Sequence, residues 1–241
     1  MIALERQIAT VRQRLAAARS ICVLTGAGIS AESGLPTFRG AGGLWRTHRV
    51  EELASPAGFE RDPRLVWRWY NERRAAHATV EPNAGHRALA ELERRSADFT
   101  LVTQNVDSLH LRAGSRNLLE LHGNLREARC TGCAERRSLA NGLPPEEIEH
   151  ACGGRFRPDI VWFGEALPRA ALDAAVAAAR RAEVLLIVGT SAQVQPAASL
   201  ARLPGSPTAV LVEINPDETP LSAHAQVVLR GAAGELLPLL L

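Results

Sequence analysis

The sequence contains no lysine: all 28 of its lysine-or-arginine positions are arginine. The chain therefore offers no lysine amine on which its own chemistry could act. Its basic character is part of a wider bias toward alanine, arginine and leucine. Net charge is also small, 28 basic against 26 acidic residues, or +2 with neutral histidines. That balance excludes bulk attraction to nucleic acid or to an anionic membrane surface. No apolar run approaches the roughly 20 residues that a membrane-spanning helix needs. The four cysteines, Cys22, Cys130, Cys133 and Cys152, are unevenly spaced, which is not the framework of a small secreted disulfide protein. A reduced, cytoplasmic setting is expected. Internal repeats and low-complexity tracts are missing as well.

What is present is core-forming material. With 241 residues, 46% of them hydrophobic, the chain can build one large domain with an insert. Met1–Ser20 sets Ile8, Val11, Leu15 and Ala18 at helical spacing, and reads as a packed first helix rather than a targeting segment. Short, apolar, β-branched runs predict buried parallel strands at Ile21–Thr25, Phe99–Thr103, Leu118–Leu121, Val184–Gly189, Ala209–Ile214 and Gln226–Leu229. Helical patterns fall between them, at Asn83–Arg95, Arg169–Arg181, a turn after Pro196, and Ala232–Leu239. Such alternation predicts a parallel sheet covered on both faces. Two segments break the rhythm. Ala41–Pro82 is mainly a helix around Pro63–His77, and Arg126–Pro158 is rich in Cys, Gly and Pro. Residues 1–40, 83–125 and 159–241 are therefore expected to form the large domain, and 41–82 with 126–158 a smaller one. Gly26, Gln104, His122 and Gly189 each follow a predicted strand. In open α/β sheets ligands bind at the carboxyl ends of strands, so these residues should meet in one crevice.

The densest signal is Gly26–Gly40, GAGISAESGLPTFRG, directly after the first strand. A strand that breaks into Gly-Ala-Gly before a helix suits a dinucleotide pyrophosphate: small residues admit the phosphates, and the helix start offers free N–H groups. The loop that follows carries one aromatic, Phe38, and one cation, Arg39. This string resembles the GAGxSxxSGxPxFRG loop of the sirtuins, the NAD-dependent protein deacylases. Further similarities are Thr103–His110 (TQNVDSLH), Leu121–Asn124 (LHGN), Phe163–Glu165 (FGE), Gly189–Ser191 (GTS) and Ile214-Asn215. They occur in the family's order and span nearly the whole chain. The resemblance implies a Rossmann-like doubly wound parallel sheet with a smaller inserted helical and zinc-binding module, NAD as cosubstrate, and acyl-lysine side chains of proteins or peptides as substrate.

Residue by residue, the resemblance makes His122 the catalytic base. Read alone, His122 is equally a histidine hydrogen-bonded in a strand turn. In the family the acyl amide oxygen attacks C1′ of the nicotinamide ribose and nicotinamide leaves. The histidine then helps a ribose hydroxyl attack the imidate, and water completes transfer to O-acyl-ADP-ribose. Asn105 and Asp107 are implied to work beside it, with Gln104 and Val106 at the nicotinamide ribose; without the family, Asp107 reads as a helix cap. His110 is expected to be structural. Gly26, Ala27, Gly28, Ser30, Phe38, Arg39, Trp45, Gly189, Thr190, Ser191, Asn215 and Ala233 complete the implied NAD contacts. Trp162, Phe163, Gly164 and Glu165 should border an extended peptide.

Tyr70, the only tyrosine, and Arg73 are three residues apart on one helix face. A hydroxyl and a guanidinium can together bind a carboxylate. The pair, with Ala-Gly-Gly-Leu-Trp at Ala41–Trp45, resembles the sirtuin class that removes succinyl, malonyl and glutaryl groups, with deacetylation retained. A Tyr packed on the core beside a solvated Arg is the other reading of that spacing.

Cys130-Thr131-Gly132-Cys133 and Cys152 match three of the four thiolates with which the family holds a structural zinc. A fourth ligand would come from His150, Glu149, Glu147 or water, or the site is metal-free. Cys22 reads as a small core residue. Other functions weighed are mono-ADP-ribosyl transfer, a catalytically dead acyl-lysine reader, and a Rossmann dehydrogenase. The dehydrogenase is disfavoured because Ala31 follows Gly26 and Gly28 where a third glycine belongs. The chain is expected to be monomeric, with no nucleic-acid or membrane partner.

Overall fold

Six short apolar segments assemble into one parallel sheet in this computed structural model, which describes residues 2–37, 49–139, 147–203 and 205–241. The strands are β1 (Ser20–Thr25), β2 (Asp98–Thr103), β3 (Leu118–Glu120), β7 (Val184–Val188), β8 (Val210–Ile214) and β9 (Val227–Leu229). Their spatial order is β3-β2-β1-β7-β8-β9, all neighbours parallel. The order reverses at β1: after β3 the chain returns past β1 to β7 on the other side of the sheet. This is the doubly wound arrangement, and its switch point lies at the ends of β1, β2 and β7.

The central strands are apolar on both faces because both faces are covered. On one face Val23, Leu101, Leu186 and Val212 pack with Val11 and Leu15 of α1 (Ile2–Ala17), Leu89 and Leu92 of α5 (Ala84–Arg95), and Leu236 of α8 (Ala233–Leu236). On the other, Leu24, Val102, Leu185 and Ile187 meet α7 (Arg169–Arg181). There α7 presents Ala175, Ala178 and Ala179, small residues that let the helix lie close to the sheet. The N-terminal helix is where its spacing predicts it. Among the described residues, no helix is long and apolar enough to cross a membrane.

A second, antiparallel sheet has the order β5-β4-β6, from β4 (Gly123–Cys130), β5 (Arg136–Ser138) and β6 (Phe156–Ile160). It begins before residue 126 and ends after residue 158, slightly outside the insert expected from composition. Three helices cover it: α2 (Val50–Leu53), α3 (Pro56–Arg61) and α4 (Pro63–Ala78). Asp62 caps α4 by accepting from the Leu65 N–H at 2.9 Å, and Pro63 fills the first turn, where no N–H is needed. Trp67 on α4 is fully buried and its Nε1–H donates to the Phe156 carbonyl at 2.8 Å. It ties helix to sheet, and truncating such a side chain costs about 3–5 kcal/mol. Tyr70, Phe59, Phe156 and Trp162 complete this second core.

Several edges differ from expectation. β3 ends at Glu120, one residue early, and the helix after the first glycine turn is a 3-10 helix, Ala27–Ser33, rather than an α-helix. Phe38, Arg39, Gly40 and the Ala41–Trp45 string lie outside the described residues.

Candidate functional site

Two turns interlock at the carboxyl ends of β1 and β7. The Gly26 N–H donates to Val188 O (3.0 Å) and the Gly28 N–H to Gly189 O (2.7 Å). A Cβ on Gly28 would sit 2.7 Å from Gly189 O and 2.8 Å from Gly189 Cα, so only glycine allows this approach. Gly189 itself has φ +58, a left-handed conformation that glycine adopts without strain. Thr190 continues the second turn. Its Oγ1 accepts from the Ala192 N–H (3.2 Å) and the Gln104 side-chain amide (3.1 Å). The Asn215 amide, after β8, donates to Thr190 O at 2.9 Å. Ser191 is half-buried beside it, and Ala233 is buried at the start of α8.

The segment after β2 closes the cleft from the other side. Asn105 is 5% exposed, and its amide donates to Gly26 O (3.1 Å) and Ser30 Oγ (3.2 Å). Ser30 in turn donates to Asp107 Oδ2 at 2.7 Å. His86 Nδ1 accepts from the Asn83 N–H in the capping box of α5, which leaves the proton on Nε2, 3.4 Å from Ser30 Oγ. Burial, then Arg87, holds His86 down to about 4, so it is neutral at pH 7. Asp107 Oδ1 accepts from the Leu109 N–H (2.9 Å), the cap-like bond expected of it, while Oδ2 faces the site. Burial raises its pKa, against the Leu109 and Ser30 hydrogen bonds and Arg73 and Arg112. His110 is buried with Nε2 2.9 Å from Thr25 Oγ1. Thr25 donates to Thr103 Oγ1, which accepts from the Asn105 N–H. Nothing in the sequence marks Thr25, and the Asn83-to-His86 capping spacing is the one signal for His86; Thr103 stands only as the first residue of the Thr103–His110 string.

His122 follows β3 in the two-residue link to β4, and is half-buried. Its Nδ1–H donates to the Gln104 carbonyl at 3.0 Å. That bond fixes the tautomer and leaves the Nε2 lone pair available. Burial lowers its pKa below the ordinary imidazole value, opposed by the Gln104 bond. A base needs the neutral ring, and both the tautomer and the shift supply it. Gly123, with φ +73, turns the chain immediately afterwards.

A pocket opens between these elements. Its wall is formed by Ala27, Ser30, Leu35 and Pro36, by Asn105–Asp107, and by Arg73 and His77 from α4. Arg73 lies over the Trp69 ring, 4.7 Å from its centroid. Tyr70 is buried, and its hydroxyl accepts from Trp162 Nε1–H at 2.9 Å. Tyr70 and Arg73 thus share a face, but the hydroxyl is already tied to the neighbouring wall. In that wall, Arg157 stacks 3.4 Å over Trp162 and pairs with Glu165 at 2.5 Å and 2.8 Å. Glu165 Oε2 also accepts from the Trp162 N–H at 2.8 Å. Glu165 therefore shapes the wall from within. Gly164 has φ +87, and Phe163 is 45% exposed.

Away from the cleft, Cys130, Cys133, Cys152 and His150 place their ligand atoms within 4.8 Å of one another. Cys130 Sγ and Cys152 Sγ are 3.5 Å apart, and His150 Nδ1 is 3.0 Å and 3.7 Å from Cys152 and Cys133 Sγ. A tetrahedron on Zn–S bonds of about 2.3 Å has edges of about 3.8 Å, so the set fits a closed structural zinc site. Of the candidates for the fourth ligand, His150 is the one that lies with the three cysteines. Its Nε2 lies 3.1 Å from Glu135 Oε2, the outer carboxylate partner that metal-bound histidines commonly have. Cys22 is buried in β1, far from this group in the fold, and burial pushes its thiol up to about 12.

Comparison with known proteins agrees with this arrangement. A model described as "Sir2 family" matches residues 26–196. The chain is 51% identical over 234 residues to a Thermus thermophilus protein named NAD-dependent protein deacylase, covering 95% of this chain and 92% of that one. It is similar to a crystal structure titled as a Sir2 homolog–NAD complex, with TM-score 0.90, 47% identity, and 96% and 92% of the two chains covered. It is also similar to a Sir2 protein bound to a myristoylated histone peptide, with TM-score 0.79, 35% identity, and 98% and 95% covered. With the interlocked glycine turns, the tautomer-locked imidazole and the Cys3His cluster on one fold, this chain belongs to the Sir2 family, the sirtuins.

Proposed function

We propose that this protein is an NAD-dependent protein-lysine deacylase that favours acyl groups ending in a carboxylate: succinyl, malonyl and glutaryl, with acetyl also accepted. The first part rests on family membership and on relatives named NAD-dependent protein deacylases. The acyl preference rests on one observation: Arg73, with Tyr70 on the same helix face, lines the pocket that also contains Asn105 and Asp107. A half-buried cation in a pocket for an acyl chain favours an anionic terminus, and guanidinium meets carboxylate in bidentate geometry.

NAD, when bound, supplies the glycosidic bond whose cleavage drives removal of the acyl group. The residues here bind, orient and shield. The glycine turns at Gly26–Gly28 and Gly189–Ser191 admit the phosphates closely. Asn215 and Ala233 border the adenosine side; the roles of Phe38, Arg39 and Trp45, which lie outside the described residues, rest on the family resemblance alone. Gln104, Asn105, Val106 and Asp107 face the nicotinamide ribose. His122 takes a proton from a ribose hydroxyl at Nε2 while Nδ1–H stays on the Gln104 carbonyl. Trp162, Phe163 and Gly164 border the extended peptide, and Glu165 holds that border in shape. Cys130, Cys133, Cys152 and His150 would hold a zinc ion that braces the small sheet, away from the chemistry. A reduced cytoplasmic setting and a monomer suit this reading.

The test is the ratio of kcat/KM on succinyl- and acetyl-lysine peptides. Arg73→Met with Tyr70→Phe should lower that ratio at least tenfold, since hydrogen bonds to a charged group contribute about 1.5–3 kcal/mol. An unchanged ratio would remove the acyl preference and leave the deacylase. Labelled NAD transferred onto protein in place of acyl removal would favour mono-ADP-ribosyl transfer.

A further inference from the structure

The turn that carries His122 has one residue more than the segment beside it. The Leu121 N–H donates to Thr103 O (2.9 Å) and the Leu125 N–H to Val106 O (3.1 Å), with the ring bond to Gln104 O between them. Leu121 to Leu125 is four steps along the chain, against three from Thr103 to Val106. The extra residue forms a bulge. On the other side β4 pairs with β6 at Gly123 and then only from Ala128, with a register shift between. Neither neighbour gives the start of β4 a regular ladder.

A side-chain clasp closes this turn instead. Glu120 Oε2 accepts from the Asn124 side-chain amide (3.1 Å) and from the Arg126 guanidinium (2.9 Å). Asn124 Oδ1 accepts in turn from the Arg126 N–H (2.9 Å), which fixes the amide's orientation. Asn124 is buried and Glu120 half-buried. Burial raises the Glu120 pKa, opposed by Arg126 and the Asn124 hydrogen bond. The clasp joins the residue two before His122 to those two and four after it. The His122 pKa is moved by burial and by the Gln104 bond, not by the Glu120 charge, so the clasp reaches the imidazole through the backbone.

We infer that Glu120 is a positioning residue for the reaction: with Asn124 and Arg126 it clasps the turn and aims the His122 imidazole, Nδ1–H on Gln104 O and Nε2 toward the ribose. The inference rests on the base role proposed for His122 and adds the group that holds it in place.

The reaction offers a readout that a purely structural role leaves alone. Nicotinamide departs before His122 acts. Added nicotinamide can return to C1′, displacing the amide oxygen and regenerating NAD and the acyl peptide. A misaimed base slows the forward step and leaves this exchange intact. The experiment incubates NAD, an acetyl-lysine peptide and labelled nicotinamide, and measures label entering NAD against deacylated peptide formed. Glu120→Ala should raise the exchange-to-deacylation ratio about 10–100-fold, with KM for NAD and peptide within about twofold of wild type. Glu120→Gln, whose side-chain carbonyl still accepts, should return most of the way to the wild-type ratio. Arg126→Met opens the clasp from its other end and should move the ratio in the same direction; it replaces Glu120→Ala if that variant does not fold. A wild-type ratio in the folded variant, or equal falls in exchange and deacylation, would overturn the inference. His122→Ala is run alongside. If it raises the ratio and the clasp variants do not, the clasp alone is wrong; if it leaves the ratio at the wild-type value, the base role itself falls.

Discussion

The role proposed for His122 depends on a single bond. The Gln104 carbonyl holds Nδ1–H, so the lone pair sits on Nε2 in the cleft. Burial disfavours the imidazolium and pulls the pKa below the ordinary 6.5. The sign follows directly. A base is active when unprotonated, so activity holds at pH 6.5 and above, and is lost only as pH falls through the lowered value. The acid limb of a kcat/KM profile should therefore lie below that of free imidazole; a limb at or above 6.5 would contradict the burial. Much of this was legible residue by residue. His122, Asn105, Asp107 and Ser30 stand in recognisable strings, and the fold brings all four to one cleft. The supporting roles of His86, Thr25 and Thr103 were not legible. They act through hydrogen bonds between segments far apart in sequence, and nothing local marks a threonine at a strand end as the support of an asparagine.

At the scale of elements, close approach dominates. The turns after β1 and β7 meet backbone to backbone, and a Cβ on Gly28 would press on Gly189 within 3.0 Å. Gly28→Ala should destabilise the fold by about 1–3 kcal/mol, measured by urea unfolding, and weaken NAD binding, measured by titration. Wild-type stability in that variant would mean that the turns can part. The zinc module gives a second check. Glu135 orients His150 toward the three sulfurs, so Glu135→Gln should weaken zinc binding about 10–100-fold in chelator competition. Undiminished zinc retention would show that Glu135 does not orient the ligand. The parallel strands were readable because apolar residues on both faces produce unbroken Val, Leu and Ile runs. The antiparallel β4, β5 and β6 were not. β4 reads Gly-Asn-Leu-Arg-Glu-Ala-Arg-Cys, its register against β6 shifts between Gly123 and Ala128, and its arginines bridge to Glu120, Asp159 and Glu165. Charged residues and a shifted register hide the alternation on which strand recognition depends.

Over the whole molecule, the parallel sheet and the small antiparallel sheet are joined where β3 passes through His122 into β4. The proposed base therefore stands at the junction, with the glycine turns on one side and the Tyr70–Trp162 wall on the other. Such a placement suits the proposed reaction, in which a dinucleotide and an extended peptide would meet at one imidazole shielded from water. One measurement tests this most directly: incubation with NAD and a succinyl-lysine peptide, following nicotinamide and freed peptide together. Coupled chemistry requires equal amounts of the two, no peptide release without NAD, and loss of peptide release in His122→Ala. Peptide freed without NAD, or nicotinamide released while the acyl group stays in place, would contradict it.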